Sequence, residues 1–280
     1  MTTIARDDFI DSIADALQFI SYYHPVDYIR AVTAAWEREE SPAAKDAMEQ
    51  ILLNSRMSAE GHRPICQDTG SVVVFLKIGM AVKWDTDTDI SGMVDEGVRR
   101  AYNNPDNVLR ASILADPAGK RTNTKDNTPA VIHYQIVPGD KVEVDVAAKG
   151  GGSENKSKFV MLNPSDSIVD WVLKTVPTMG AGWCPPGMLG IGIGGTAEKA
   201  AVLAKHAHRG GDETEDKKPG EDQEGYESHV RVVGVRKGIQ RHHEKNQGQA
   251  DSGYAGTDHR DHVVKGRREA FGVASGLFRI

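Results

Sequence analysis

Residues 71–79 read SVVVFLKIG, and this run decides the fold. It is rich in β-branched and apolar residues, which makes it a buried strand rather than a helix face. Everything before it reads differently. Ile10, Ile13, Leu17 and Ile20 recur at helical spacing, and a second apolar-periodic segment covers residues 26–40. Ser41 followed by Pro42 places an N-cap and a first-turn proline at the start of a third helix, with Ala47, Ile51 and Leu52 facing inward. After the strand, residues 91–102 read as a short helix. Residues 130–137 and 141–148 read as strands joined at Pro138-Gly139-Asp140. Residues 165–176 form an amphipathic helix capped by Ser165, with Ile168, Trp171 and Val172 on one face. Residues 188–195 (MLGIGIGG) are a strand running into glycines, and an alanine-rich helix follows over 196–205. The fold class is therefore α+β (mixed α/β): a helical N-terminal segment, then a mixed strand and helix domain.

Composition narrows the function. The 280 residues carry a net charge of −6, against a nucleic-acid binder that needs a basic face. No run approaches a membrane span. The N-terminus reaches acidic residues at once, unlike a signal peptide, so a cytoplasmic location is expected. The two cysteines, Cys66 and Cys184, argue against a structural disulfide there. On spacing alone they are two buried free thiols or two soft metal ligands.

Three segments carry chemistry. In residues 63–70 (RPICQDTG) a cysteine sits beside an amide and a carboxylate at the mouth of the buried strand. This is either a strand-entry loop whose Asp68 and Thr69 satisfy backbone groups, or a thiolate ligand flanked by polar groups for a substrate. In residues 149–156 (KGGGSENK) three glycines allow close backbone approach and expose N–H groups to an anion, with Lys149 and Lys156 adding positive charge. The spacing is wrong for a P-loop, and a flexible hairpin loop is the plainer reading. In residues 180–187 (GAGWCPPG) Cys184 lies in a loop stiffened by Pro185 and Pro186, ahead of GIGIGG and Thr196. As a dinucleotide fingerprint that run has the wrong glycine order.

ICQDTG, KGGGSENK, and GWCPPG followed by GIGGT stand in an order and at separations that resemble class I fumarases and the related tartrate dehydratases, over residues 6–205. The segment 107–112 (NVLRAS) resembles a family stretch whose arginine approaches substrate. The resemblance implies a hydro-lyase that reversibly adds water to a dicarboxylate, fumarate to malate foremost. It implies a [4Fe–4S] cluster held by three cysteines, whose fourth iron acts as a Lewis acid. Carried over, Cys66 and Cys184 are cluster ligands. Gln67 and Asp68 contact substrate, Arg110 pairs with a substrate carboxylate, and Gly151 and Gly152 offer it N–H groups. Family members are usually dimers of the complete unit. The resemblance therefore also implies a partner: a β-type subunit, or a C-terminal domain beyond these residues, which would bring further basic residues. No general base is identified, and fumarate is not separated from tartrate or a methylated analogue.

At about residue 206 the composition breaks, dividing residues 1–205 from residues 206–280. The latter hold one leucine, Leu277, together with seven of the ten histidines and twelve of the 29 glycines. Such a stretch buries too little apolar surface to offset its ordering entropy, so it reads as irregular or disordered, with apolar islands at 230–235 and 271–280. The family's third cluster cysteine has no counterpart after Cys184. Two alternatives to the enzyme stand: an inactive truncated or frameshifted fragment, or a metal-binding module with a His-rich tail. The shift in composition favours an out-of-frame reading. Translating the coding DNA of this stretch in the other two frames should then give a leucine-containing continuation with a cysteine roughly 90 residues after Cys184. No such frame would make the tail genuine.

Overall fold

The computed structural model describes residues 2–182 and 189–207, and beyond them three strand segments at 228–230, 269–274 and 278–279. A two-residue strand, β1 (Thr3–Ile4), precedes three helices: α1 (Arg6–Tyr22), α2 (Val26–Arg38) and α3 (Pro42–Gly61). Next come β2 (Ser71–Gly79), β3 (Lys83–Trp84) and α4 (Ile90–Tyr102). A small hairpin, β4 (Leu114–Ala115) with β5 (Thr122–Asn123), leads to β6 (Val131–Val137) and β7 (Val142–Lys149). Then follow a single helical turn α5 (Gly151–Glu154), β8 (Phe159–Leu162), α6 (Ile168–Thr175), β9 (Gly190–Ile193) and α7 (Ala197–His206). The tail segments are β10 (Ser228–Val230), β11 (Glu269–Ala274) and β12 (Phe278–Arg279). The class is α+β, with helices against mixed and antiparallel sheets.

The main sheet has the order β12-β7-β2-β6. The turn at 138–140 joins β6 to β7, yet no simple hairpin results. β2 lies between them, parallel to β6 and antiparallel to β7. The turn passes over the end of β2, where a Cβ on Gly79 would lie 2.5 Å from Gly139 O. One face of this sheet presents Val72, Val74, Leu76 and Val146 to Ile10, Ile13 and Leu17 of α1 and to Met93, Val94 and Val98 of α4. Burying each such side chain is worth about 1.5–3 kcal/mol, so this layer holds much of the fold together. The helices approach at Gly97, where a Cβ would stand 2.8 Å from Ile13 Cβ. The opposite face, Val73, Phe75 and Ala147, receives Val202 of α7. Behind α7 lies the second sheet, β10-β9-β11-β8, antiparallel throughout. Gly192 lets β9 pass against Ala200 and Ala204 of α7, while Ile191 and Ile193 on its other face pack with Leu162 and with Val172 of α6.

Two local expectations need correction. Ser41 caps α3, its Oγ accepting from Ala44 N–H at 3.5 Å, but Ala47 is exposed. The buried stripe is Met48, Ser55 and Ser58, with Ser55 meeting His24 just before α2. Ser165 is not a cap. Asp166 Oδ2 accepts from Asn163 N–H at 2.7 Å and closes a turn there, so the cap passes to Ser167, whose Oγ accepts from Asp170 N–H. Apart from the three strand segments and the end of α7, the stretch read as irregular lies outside the described residues. Among the described residues no helix is long and apolar enough to cross a membrane.

His24 gives this helical layer a pH dependence. Its Nδ1 lies 3.0 Å from Ser55 Oγ and its ring packs on Tyr28 at 4.5 Å. Burial holds its pKa down at about 4, from an ordinary 6.5. Between those values the unfolded chain takes up a proton that the folded chain refuses. The stabilisation from neutral His24 is therefore complete above about pH 6.5 and is lost as pH falls toward about 4. Urea melts of wild type and His24→Gln, run at about pH 7 and about pH 5, should show the smaller loss on acidification in the variant; equal losses would exclude His24 as the cause.

Candidate active site

Cys66 sits on a loop strapped at several points. α3 ends at His62, whose left-handed φ of 48° turns the chain and whose ring stacks on Tyr22 at 4.7 Å. Arg63 N–H bonds to Ser58 O, and its guanidinium donates to Asp106 O at 2.6 Å. Ile65 N–H donates to Ser21 O at 2.8 Å, and Ile65 O accepts from Asn54 Nδ2 at 2.8 Å. Past these anchors the Cys66 thiol is exposed. Its Sγ lies 3.4 Å from Gln67 Oε1 and accepts from Asp68 N–H at 3.4 Å.

The loop then enters β2 through Gly70, and here the second motif meets it. Ser71 pairs with Lys149, so the residues just before β2 lie beside those just after β7. A Cβ on Gly70 would lie 2.6 Å from both N and C of Lys149, and its φ of +81° disfavours any side chain. Asp68 crosses this junction: its Oδ2 accepts from Gly151 N–H at 2.7 Å. Gly151 thus already holds a carboxylate, the chain's own. Gly152 N–H has no hydrogen-bond partner among the described residues. The triple-glycine segment, for which a flexible hairpin was the plainer reading, is one turn of helix, closed by Glu154 N–H to Gly150 O at 2.9 Å.

The third motif arrives by backbone contact. A Cβ on Gly152 would lie 2.7 Å from Gly182 O, and one on Gly182 would lie 2.7 Å from Lys156 Cε. Gly182 stands two residues before Cys184, which lies outside the described residues. Arg110 is attached from the other side. Its carbonyl accepts from Thr69 Oγ1 at 2.8 Å. Its guanidinium is exposed and, among the described residues, free of ion pairs. Cys66, Gln67, Asp68, Gly151 and Gly152 therefore share one region, with Arg110 tied to its edge.

Several residues that build the site went unnoticed in the sequence. Fully buried Asn127 donates to Gly70 O at 2.9 Å and accepts from Ser112 N–H at 2.8 Å, bracing the Arg110 segment against the strand entry. The signal for it was a turn residue just before Thr128-Pro129, held at φ 62°. The Tyr102 hydroxyl lies 2.8 Å from Thr69 O and 3.0 Å from Gly70 O. Burial, reinforced by the Asp68 charge, pushes its pKa up, so it serves as a neutral donor. Lys149, read from the sequence as a source of positive charge, is buried rather than solvent-facing. Its pKa is lowered to about 8 by burial, with the Lys205 charge adding to the effect and Glu154 opposing it. These contacts leave Gly70 no room for a side chain. Gly70→Ala should cost at least about 2 kcal/mol in urea unfolding, from left-handed strain plus displacement of the Lys149 backbone. The same variant should accelerate hydrogen exchange at the Gly151 amide, and unchanged exchange would show that the junction does not hold the turn.

Comparison with known proteins places this arrangement. The model of the fumarate hydratase (Fumerase) family matches residues 10–235, running past Lys205 although all three motifs lie before it. A putative L(+)-tartrate dehydratase subunit alpha of Methanocaldococcus jannaschii is 34% identical over 203 residues, 70% of each chain. The L(+)-tartrate dehydratase subunit alpha of Escherichia coli is 28% identical over 207 residues, covering 72% of this chain and 67% of that one. Its counterpart in Shigella boydii is 26% identical over 206 residues, with the same coverage. With four-fifths of its length under the family model, the chain belongs to the fumarate hydratase family.

Proposed function

We propose that this chain is the α-type part of a hydro-lyase that adds water to a small dicarboxylate or removes it, with fumarate and malate as the first candidates. The observation that carries this reading is the Asp68–Gly151 hydrogen bond of 2.7 Å. It holds an accessible thiol and two polar side chains against a glycine turn that already receives a carboxylate. Family membership supports the reaction class. The names of the relatives make L-tartrate the competing substrate and, being those of α subunits, support a β-type partner; in this reading two such complete units form a homodimer.

In this reading the chain's own residues bind and orient. The Arg110 guanidinium pairs with one substrate carboxylate, a geometry a planar fork suits. Gly152 N–H, joined by Gly151 N–H when Asp68 yields it, holds the substrate's anionic end. Gln67 and Asp68 present an amide and a carboxylate beside the thiol, where a hydroxyl would be held.

A [4Fe–4S] cluster with an open iron would supply Lewis acidity at a substrate oxygen. Cys66 fits one corner of it, since its thiol is exposed and its sulfur lies at the surface of the strand-entry loop, where Asp68 N–H can donate to it. Cys184 is the second ligand in this proposal. The sequence holds only these two cysteines, and the described residues contain no group of three or more His, Cys, Asp and Glu able to hold a metal. A three-thiolate site is not completed by this chain's cysteines, so the remaining ligand must come from elsewhere.

The test is anaerobic co-production with a β-type subunit, followed by iron and sulfide reconstitution. A brown protein that hydrates fumarate, or dehydrates L-tartrate, is the expected result, and the faster substrate names the activity. In that preparation Arg110→Ala should raise KM about tenfold or more, since a charge-assisted pair is lost. A colourless preparation, inactive on both substrates with the partner present, would refute the reading.

A further inference from the structure

The segment 110–127 leaves the candidate site and returns to it. It starts at Arg110, whose carbonyl takes the Thr69 hydroxyl, and ends at Asn127, whose amide holds Gly70 O. Between them runs the β4–β5 hairpin, with Leu114 opposite Asn123 and Ala115 opposite Thr122. Its stem is tied twice more, by Asn123 Nδ2 to Ala111 O at 2.9 Å and by Thr124 N–H to Ile113 O at 3.0 Å. Its tip is a closed turn. Asp116 O accepts from Gly119 and Arg121 N–H, both at 3.0 Å, and Asp116 Oδ2 accepts from Lys120 N–H at 2.9 Å. The hydro-lyase reading uses Arg110 and gives the hairpin no role.

Three exposed cations stand on this arm: Lys120, Arg121 and Lys125. None has an ion pair among the described residues, and Arg121 Nε donates to Pro117 O at 3.0 Å. Two of the three occupy backbone that side chains avoid. Arg121 has a φ of 52° and Lys125 one of 71°, the left-handed region where glycine or asparagine sits at less cost. A charged side chain held against backbone preference points to a use for the charge. The carboxylates nearby are fewer. Residues 63–70 and 106–127 carry five basic side chains and four acidic ones, Asp68, Asp106, Asp116 and Asp126. Asp126 is answered by Arg99 of α4 at 3.0 Å, Asp68 holds Gly151 N–H, and Asp116 is tied into the tip. The edge of the site is thus positive on a chain whose net charge is −6. From Arg110 to Asp116 the chain spans at most about 20 Å, while charges are felt over about 30 Å in 0.01 M salt.

We propose that Lys120, Arg121 and Lys125 are steering residues, a rigid cationic arm that draws a small organic dianion toward Arg110. The proposal rests on the reading that Arg110 receives a substrate carboxylate. It adds how a doubly negative molecule reaches that arginine against the charge of the whole chain. The attraction doubles from a monoanion to a dianion, so the arm favours dicarboxylates before any contact is made.

The exposed thiol of Cys66, three residues before Thr69, reports the local field. In the full chain carrying Cys184→Ser, before iron and sulfide are added, Cys66 is the only cysteine. Its reaction is timed with dianionic dithiobis(nitrobenzoate) and with neutral dithiodipyridine, from about 0.01 M to about 0.3 M sodium chloride. The ratio of the two rates cancels the thiolate fraction. A positive edge makes the ratio fall about threefold or more as salt rises, whereas a field set by the net charge makes it rise. Lys120→Gln, Arg121→Gln and Lys125→Gln together should lower the low-salt ratio about threefold, and Arg121→Lys with Lys125→Arg should keep it. Lys125→Gly should lower the ratio yet leave the urea midpoint unmoved or higher, because glycine suits that backbone; a merely structural role predicts the reverse. A ratio that rises or stays flat with salt overturns the proposal, and so does a triple variant with an unchanged ratio. The salt trend needs no substitution in the arm, so it decides the matter if a variant fails to fold. In the complete enzyme the triple variant should lose about threefold in kcat/KM at low salt with kcat unmoved. Loss of the β-type subunit from that variant would instead assign the arm to a protein partner and overturn the steering. The two readings fail separately. The expected thiol result, without turnover of fumarate or L-tartrate by the complete enzyme, keeps the arm and removes the hydro-lyase. Turnover whose kcat/KM and salt dependence are unmoved by the triple variant does the reverse.

Discussion

At the start of β2 and the end of β7 two backbones pass so closely that position 70 has no room for a Cβ. That closeness lets Asp68 reach Gly151, and so turns two motifs far apart in the chain into one place. The approach is fixed by register, Ser71 opposite Lys149, and the register is fixed by the core. A slip of one residue would carry Val72, Val74 and Leu76 from the layer under α1 and α4 to the opposite face, at the cost of the largest apolar cluster among the described residues. The geometry of a polar site is thus set by hydrophobic burial on the other side of the same sheet.

The polar groups at the junction are matched with similar economy. Asn127 has no exposed surface and spends one side-chain oxygen and one side-chain nitrogen on two backbone segments. Tyr102 serves two carbonyls with one hydroxyl. Burying a lysine is costly unless a charge answers it, and Lys149 has Glu154 for that purpose. The desolvation that remains is why its proton is held less firmly than that of a solvated lysine.

Local features of the fold were legible in the sequence, while those that depend on distant partners were not. The buried strand at 71–79 and the stripe of Ile10, Ile13 and Leu17 announced themselves by periodicity. Ala47 was misplaced because the inward face of α3 centres on Met48, Ser55 and Ser58, and two of those are serines that a hydrophobic pattern does not flag. The turn at 138–140 was visible, but nothing local says that a strand made some 60 residues earlier lies between the two it connects. At the site, the residue types in the ICQDTG and KGGGSENK segments suggested ligands and an anion loop. The supports, Asn127, Tyr102 and the Glu154–Lys205 pair, act through contacts between elements that no spacing rule encodes.

The interleaving of β2 between β6 and β7 also bears on how the protein is born. The strand that follows Cys66 leaves the ribosome well ahead of its antiparallel neighbour, the paired ends being 78 residues apart in the chain. Until β7 emerges, β2 lacks its antiparallel partner, and the thiol hangs on a nascent chain whose glycine turn has not yet been synthesised. Assembly of the site is therefore a late event in translation, completed only once the glycine turn has followed β7 out of the ribosome.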